Sequence, residues 1–77
     1  MFVIFNNSFI NGNGREIIKQ ISLSVEDISS LEELSDTRFK VNLKKDVRVD
    51  YSDNFIARGK LYETVKKINE LKLKRHV

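Results

Sequence analysis

The sequence predicts an α+β fold: a small antiparallel β-sheet of about four strands, built mostly from hairpins, with a C-terminal α-helix packed on one face. Three observations support this prediction. An apolar run near the N-terminus is followed by two Asn-Gly steps, apolar residues alternate with polar ones over 21–25, 39–43 and 47–51, and an i, i+4, i+7 apolar stripe marks the last segment. Because no linker or low-complexity tract interrupts its 77 residues, the chain is interpreted as one small domain, 1–77.

The first two strands are predicted on either side of the Asn-Gly turn. FVIF, residues 2–5, is apolar at both even and odd positions, which is typical of a strand covered on both faces. Asn6–Ser8 are polar turn-forming residues that end this apolar run. The NGNG sequence at 11–14 then favours a hairpin into IIKQISLSV, residues 17–25, whose end alternates apolar residues with serines. The apolar residues of this segment would also fit a helical stripe, but its enrichment in β-branched residues favours a strand.

The next segment, SVEDISSLEELSD, follows a different period. Its apolar residues recur every three positions, Ser24 can cap a helix start, and acidic residues occupy the first turn. This pattern predicts a short acidic amphipathic helix at 25–35 or a 3₁₀-rich connection. Such a segment is too short to be stable unless it packs against the sheet. The apolar positions are Val25, Ile28, Leu31 and Leu34.

A second hairpin is predicted from the alternation of apolar and polar residues alone. A two-residue turn at Lys45–Asp46 would pair Leu43 with Arg48 and place an apolar residue beside a charge. A three-residue loop over 44–46 avoids this conflict and puts Asp46 in the left-handed conformation. The predicted pairs are then Leu43 with Val47, Val41 with Val49, Phe39 with Tyr51 and, on the outer face, Asn42 with Arg48 and Lys40 with Asp50.

The C-terminal segment predicts the helix. Leu61, Val65 and Ile68 form an apolar stripe, whereas Gly59 would cost about 1 kcal/mol inside a helix. The helix is therefore expected to begin at 59–60 and to end near Lys74. FIAR, residues 55–58, is expected to be an extended or single-turn connection before it.

Composition argues against an enzyme, a metal site and a bound cofactor. The chain has no Cys, and its single His76 lies next to the C-terminus, so thiolate zinc sites, disulfides and histidine triads are not expected. The aspartates of LKKDVRVDYSDN, residues 43–54, lack calcium-loop spacing, and the NGNG turn lacks the Lys-Ser/Thr pair of a phosphate loop. We expect no catalytic, cofactor-binding or metal-binding residues and no small-molecule substrate.

The N-terminal residues give an expectation about location. The apolar run of MFVIFNN covers only residues 1–5 and has no basic segment before it, which is atypical of a signal peptide or a membrane span. A cytoplasmic protein that does not enter membranes is expected.

Charge is distributed unevenly along the chain. Residues 1–37 carry two Lys/Arg against six Asp/Glu, a net charge of −4, and residues 38–77 carry twelve against five, a net charge of +7. This asymmetry indicates either a surface for an acidic partner or attraction between the two halves inside the fold. The candidate interaction surface comprises Arg38, Lys40, Lys44, Lys45 and Arg48 on the predicted hairpin, with Lys72, Lys74 and Arg75 at the helix end.

The first strand supplies a second candidate surface. If the helix covers Val3 and Phe5, then Phe2 and Ile4 need the acidic segment 24–36, a second copy or a partner protein on the other face. We therefore expect a stand-alone, non-enzymatic protein-binding module, an adaptor or an inhibitor. Its small size is also that of phage and mobile-element inhibitors such as anti-CRISPR-like proteins. A nucleic-acid backbone binder that uses the basic face, and a structural subunit of a larger assembly, are the alternatives.

Overall fold

The structure, a computed structural model, describes the backbone of residues 1–74 and the side chains of residues 1–73. It contains one antiparallel sheet of five strands in the order β2-β1-β5-β4-β3, so the α+β prediction is confirmed with one strand more than expected. The elements are β1 (Phe2–Ile10), β2 (Glu16–Ser24), a 3₁₀ turn (Val25–Asp27), β3 (Ile28–Ser35), β4 (Arg38–Leu43), β5 (Asn54–Arg58) and α1 (Leu61–Lys74).

The predicted hairpin at the NGNG turn joins β1 to β2. The side-chain oxygen of Asn11 accepts hydrogen bonds from the backbone N–H groups of Asn13 at 2.9 Å and Arg15 at 3.0 Å. Gly14 adopts a φ of 78°, which glycine tolerates at no steric cost. The prediction that Asn6–Ser8 end the first strand is wrong. β1 continues to Ile10 because its pairing with β2 runs from Phe2 to Ile10 and satisfies backbone groups along this length, while Asn7 also lies opposite Ala57 of β5.

The predicted helix at 25–35 is also wrong. Only Val25–Asp27 form a single 3₁₀ turn, and Ile28–Ser35 form strand β3 beside β4. A register shift between Ile28 and Ser30 lets Ile28 and Leu31 both pack against the core, which explains their three-residue spacing in a strand. Backbone pairing with β4 outweighs the weak preference of so short a segment for a helix.

The parity of β4 was predicted correctly, but its partner was not. β4 pairs with β5, so that Val41 lies opposite Phe55 and Phe39 lies opposite Ala57. The predicted pairs with Val47, Val49 and Tyr51, the outer-face pairs Asn42–Arg48 and Lys40–Asp50, and the interpretation of FIAR as a connection are therefore wrong. A ten-residue loop, 44–53, joins β4 to β5 instead. Phe55 and Ala57 become buried in the core, which is why the more distant strand is the better partner.

Helix α1 covers one face of the sheet and begins close to its predicted start. Ile68 is buried in the core, and Leu61 and Leu71 pack at its margin. Gly59 precedes the helix with a φ of 142°, and its N–H donates to the carbonyl of Thr37 at 2.7 Å. The core residues on this covered face are Val3, Phe5, Phe39, Val41, Leu43, Phe55, Ala57 and Ile68.

Candidate functional site

The sheet face opposite α1 carries exposed apolar side chains. Along β1, Val3 and Phe5 point to the core and are each 2 % exposed, whereas Phe2 and Ile4 are 68 % and 59 % exposed. The same alternation, carried across the sheet by strand register, places further isoleucines on this side. We call it the open face. Its apolar residues are Phe2, Ile4, Ile10, Ile18 and Ile56.

No described element covers the open face. The acidic segment 24–36, which was one candidate cover, instead forms the outer strand β3 at the far edge of the sheet from β2. Most of it is therefore a strand of the sheet rather than a layer packed over Phe2 and Ile4. The two residues predicted as a docking strand are thus on an exposed surface, and the sequence prediction that something must cover them remains a prediction.

A charged cluster lies on the same face as these apolar residues. Arg38 and Arg58 are directly opposite each other in the β4–β5 register, an arrangement that is unfavourable for like charges. Glu16 of β2 compensates this repulsion because its carboxylate accepts hydrogen bonds from both guanidinium groups, at 2.5 Å from Arg38 Nη2. The acidic and basic halves of the chain are therefore joined inside the fold.

The charge state of Glu16 is set by its neighbours. The Ser8 hydroxyl donates to Glu16 Oε2 at 2.8 Å and, together with the positive charges of Arg58 and Arg38, lowers the pKa of the carboxyl below its usual value. Partial desolvation acts in the opposite direction but is outweighed. Glu16 is thus ionised at neutral pH. One carboxylate shared by two arginines leaves a surplus of one positive charge, on guanidinium side chains that are 47 % exposed.

An open cleft of about 610 Å³ lies beside this cluster. Glu16 and Arg38 line it together with Ile10 and Ile56, so it combines charged and apolar groups. Part of the 44–53 loop, including Asp50, forms another wall. This cleft extends the open face towards the loop.

A strained turn stands at the tip of that loop. Val49 and Ser52 exchange backbone hydrogen bonds at 2.9 and 3.0 Å around Asp50 and Tyr51, which adopt φ values of 49° and 67°. Two positive φ values are the mark of a type I′ turn, where Asn-Gly is the preferred sequence. Tyr51 is 100 % exposed and makes no core contact. The prediction that it packs on the apolar face is therefore wrong.

A smaller cleft of about 230 Å³ opens between β1 and the start of α1. Ile4 of the open face lines it, together with the cationic residues Arg58, Lys60 and Lys67 and the acidic Glu63. We call it the basic cleft. Within the described residues Lys60 and Lys67 form no ion pair, although Glu63 lies in the same cleft. The basic cleft thus has an excess of positive charge beside an exposed apolar side chain.

The structure does not gather the predicted basic residues on one surface. Arg38 and Lys40 lie on β4, where Arg38 binds Glu16 and Lys40 is opposite Glu32. Three others are exposed in the 44–53 loop, and Lys72 lies on α1 next to a groove bounded by β3. The side chain of Lys74, and all of Arg75 and His76, lie outside the described residues. The loop residues are Lys44, Lys45 and Arg48.

Sequence reasoning missed several residues of the open face. Ile10 and Ile18 follow from the alternation of the β1–β2 hairpin, so extending the first strand past Asn6 would have placed them on the same face as Ile4. The contact of Glu16 with Arg38 and Arg58 gives no local signal, because it depends on the order of non-consecutive strands.

Within the described residues, no group of three His, Cys, Asp or Glu side chains is arranged to hold a metal ion. Residues 1–74 contain no helix that is long and apolar enough to cross a membrane. In comparisons with protein-family models, curated proteins and solved structures, the chain matched none.

Proposed function

We propose that the chain is a non-enzymatic protein-binding module, an adaptor or an inhibitor, that docks a partner protein on its open face. The observation that carries the proposal is the exposure of Phe2, Ile4 and Ile10 on one sheet face that no described element covers. Large apolar side chains grouped on a rigid surface favour association, because their burial removes apolar area from water.

Charge favours a partner of different sequence over a second copy. In a symmetric dimer formed through the open face, the same patch would face itself. The cations Arg38, Arg58 and Lys40 outnumber Glu16 and Glu32 on this face, so two copies would bring surplus positive charge together. A partner with acidic residues around an apolar centre has no such penalty.

Differential binding tests the proposal. The wild-type chain and an Ile4→Glu/Ile18→Glu variant are immobilised and exposed to an extract of the source organism, and bound proteins are quantified by mass spectrometry. We expect a partner that the wild type retains and the variant loses. Leu73→Glu, at an exposed position of α1, is the matched control and is expected to retain it. Equal retention by all three chains would overturn the proposal.

Nucleic-acid binding is the second candidate function. The observation in its favour is the 44–53 loop, where Lys44, Lys45 and Arg48 lie near a fully exposed Tyr51 that is available for base stacking. The loop also carries three aspartates, so its net charge is zero and its attraction for a phosphate backbone is weak.

Fluorescence anisotropy with single-stranded DNA and RNA at low salt tests this second candidate. Binding that falls steeply with salt, and that is lost in Lys44→Glu/Lys45→Glu, would establish it. No binding at low salt would remove it. A third role, as a structural subunit of a larger assembly, predicts that the partner captured by the open face is part of a stable multiprotein complex.

A further inference from the structure

The basic cleft adjoins the open face at Ile4. Ile4 is the residue shared by the two surfaces, since it is exposed on the open face and also lines the cleft. Any protein segment that covers Ile4 therefore also reaches the mouth of the cleft. The chemistry of the cleft is consequently part of what a docking partner meets.

The charges around the cleft do not balance. Arg58, Lys60 and Lys67 face Glu63 as the one acidic residue in the lining. Arg58 additionally shares Glu16 with Arg38, so that carboxylate is already used twice. Counting Arg38 and Glu16 with the cleft gives four cations against two carboxylates, a surplus of two positive charges.

The lysines are the groups left for a ligand. The guanidinium of Arg58 is held by Glu16, but Lys60 and Lys67 have no ion-pair partner among the described residues. Asn6 and Thr64, which also line the cleft, offer polar groups beside them. A carboxylate placed here would be compensated by two ammonium groups while its own chain packs an apolar side chain on Ile4.

We propose that the basic cleft binds an acidic side chain of the protein partner, so that the docking segment combines an Asp or Glu carboxylate with a neighbouring apolar side chain. This inference rests on the proposed function and specifies the chemistry of the partner. A carboxylate suits the cleft better than a run of phosphates, because Glu63 and Glu16 would repel a polyanion.

Peptide selection tests the inference. A phage-displayed library of random peptides is selected on the wild-type chain, and the affinities of the enriched peptides are measured by fluorescence anisotropy. We expect an Asp or Glu next to an apolar residue in the enriched sequences. Replacing that acid by its amide should weaken binding to the wild type by about three- to tenfold, the effect of removing one charge-assisted contact at a partly exposed site.

A matched pair of variants assigns the contact to the cleft. In Lys60→Gln/Lys67→Gln, replacing the peptide acid by its amide should no longer change the affinity. Lys19→Gln/Lys66→Gln removes the same charge from exposed positions outside the cleft and should leave the wild-type dependence on the acid intact. An equal loss on both variants, or enriched peptides without an acid, would overturn the inference. Oligonucleotide binding that depends on Lys60 and Lys67 would overturn it as well, because the anion would then be phosphate.

The peptide selection also distinguishes a failure of the proposed function from a failure of the carboxylate site alone. Peptides that bind Ile4→Glu as tightly as the wild type, or no enrichment at all, would remove the docking face itself and the inference with it. Peptides that require Ile4 but contain no acid would remove only the carboxylate site. Because Ile4 is largely exposed, Ile4→Glu is expected to fold, which circular dichroism and thermal unfolding verify.

Discussion

The two faces of one sheet are built from the same kind of residue but have different surroundings. In β1, Val3 and Phe5 are buried in the core that Ile68 of α1 completes, while Phe2 and Ile4, which alternate with them, face solvent. Apolarity alone therefore does not identify the core of this chain. Residues 1–74 supply a single α-helix, and one helix covers only one face of the sheet, so the apolar residues of the other face stay exposed.

The largest difference in stability is expected between two side-chain truncations within β1, one on each face of the sheet. Phe5→Ala removes edge-to-face contacts with Phe39 and Phe55, whose ring centroids lie 6.1 and 5.7 Å away. We expect the free energy of unfolding to fall by about 3–5 kcal/mol, from lost burial and the cavity that remains. Phe2→Ala should change the free energy of unfolding by less than about 0.5 kcal/mol.

Urea denaturation followed by circular dichroism measures both truncations. Similar losses in Phe5→Ala and Phe2→Ala would contradict the contrast, since Phe2 would then be buried in solution. Light scattering at the same concentration would show whether a second copy buries it.

A second prediction concerns the residue that leads from the sheet into the covering helix. Gly59→Ala places a side chain at a φ of 142°, which L-residues rarely adopt, and we expect it to destabilise the fold by about 1–3 kcal/mol. Gly12→Ala is the matched control, because Gly12 has no positive φ and nothing lies within 4 Å of an added Cβ. Thermal unfolding compares them. Equal stability of the two variants would show that the conformation at Gly59 does not control the placement of α1.

The sequence predicted the elements of this fold better than their partners. The Asn-Gly turn and the apolar stripe of α1 are local signals. The turn was correct, and Leu61 and Ile68 of the stripe contact the core, whereas Val65 is 39 % exposed. Phe39 and Val41 were placed on the right face by parity, but parity cannot choose between β5 and the nearer Val47–Tyr51 segment as the paired strand. The open face was predicted at Phe2 and Ile4. Its charged cluster was missed because Glu16 and Arg58 are brought together only by strand order.

A smaller change in the free energy of unfolding is expected at the turn formed by Asp50 and Tyr51. Tyr51 is fully exposed at a φ of 67°, so its side chain makes no contact that offsets the unfavourable backbone. Tyr51→Gly should raise the free energy of unfolding by about 0.5–1 kcal/mol, since glycine removes the strain at a small cost in unfolded-state entropy. Tyr51→Ala removes the same aromatic ring but keeps the strain, and should be neutral. Equal stabilities would mean that the turn relaxes in solution.

The smallest change in the free energy of unfolding is expected for the polar contacts that Glu16 makes on the open face. Because the pKa of Glu16 in the folded chain lies below its usual value of 4.5, the ionised carboxylate stabilises the fold above pH 4.5. This contribution is lost as the pH falls through the lowered folded-state pKa. The difference in free energy of unfolding between the wild type and Glu16→Gln should therefore be largest at neutral pH and shrink in acid.

Ser8→Ala sharpens this last test. It keeps both arginines but removes the hydroxyl that donates to Glu16, which is the largest cause of the lowered pKa. Its loss of stability at neutral pH should be smaller than that of Glu16→Gln and should likewise shrink in acid. Urea denaturation at a series of pH values measures all three chains. A difference that is independent of pH would mean that Glu16 acts through packing, and the open face would then be held together in the same way as the covered one.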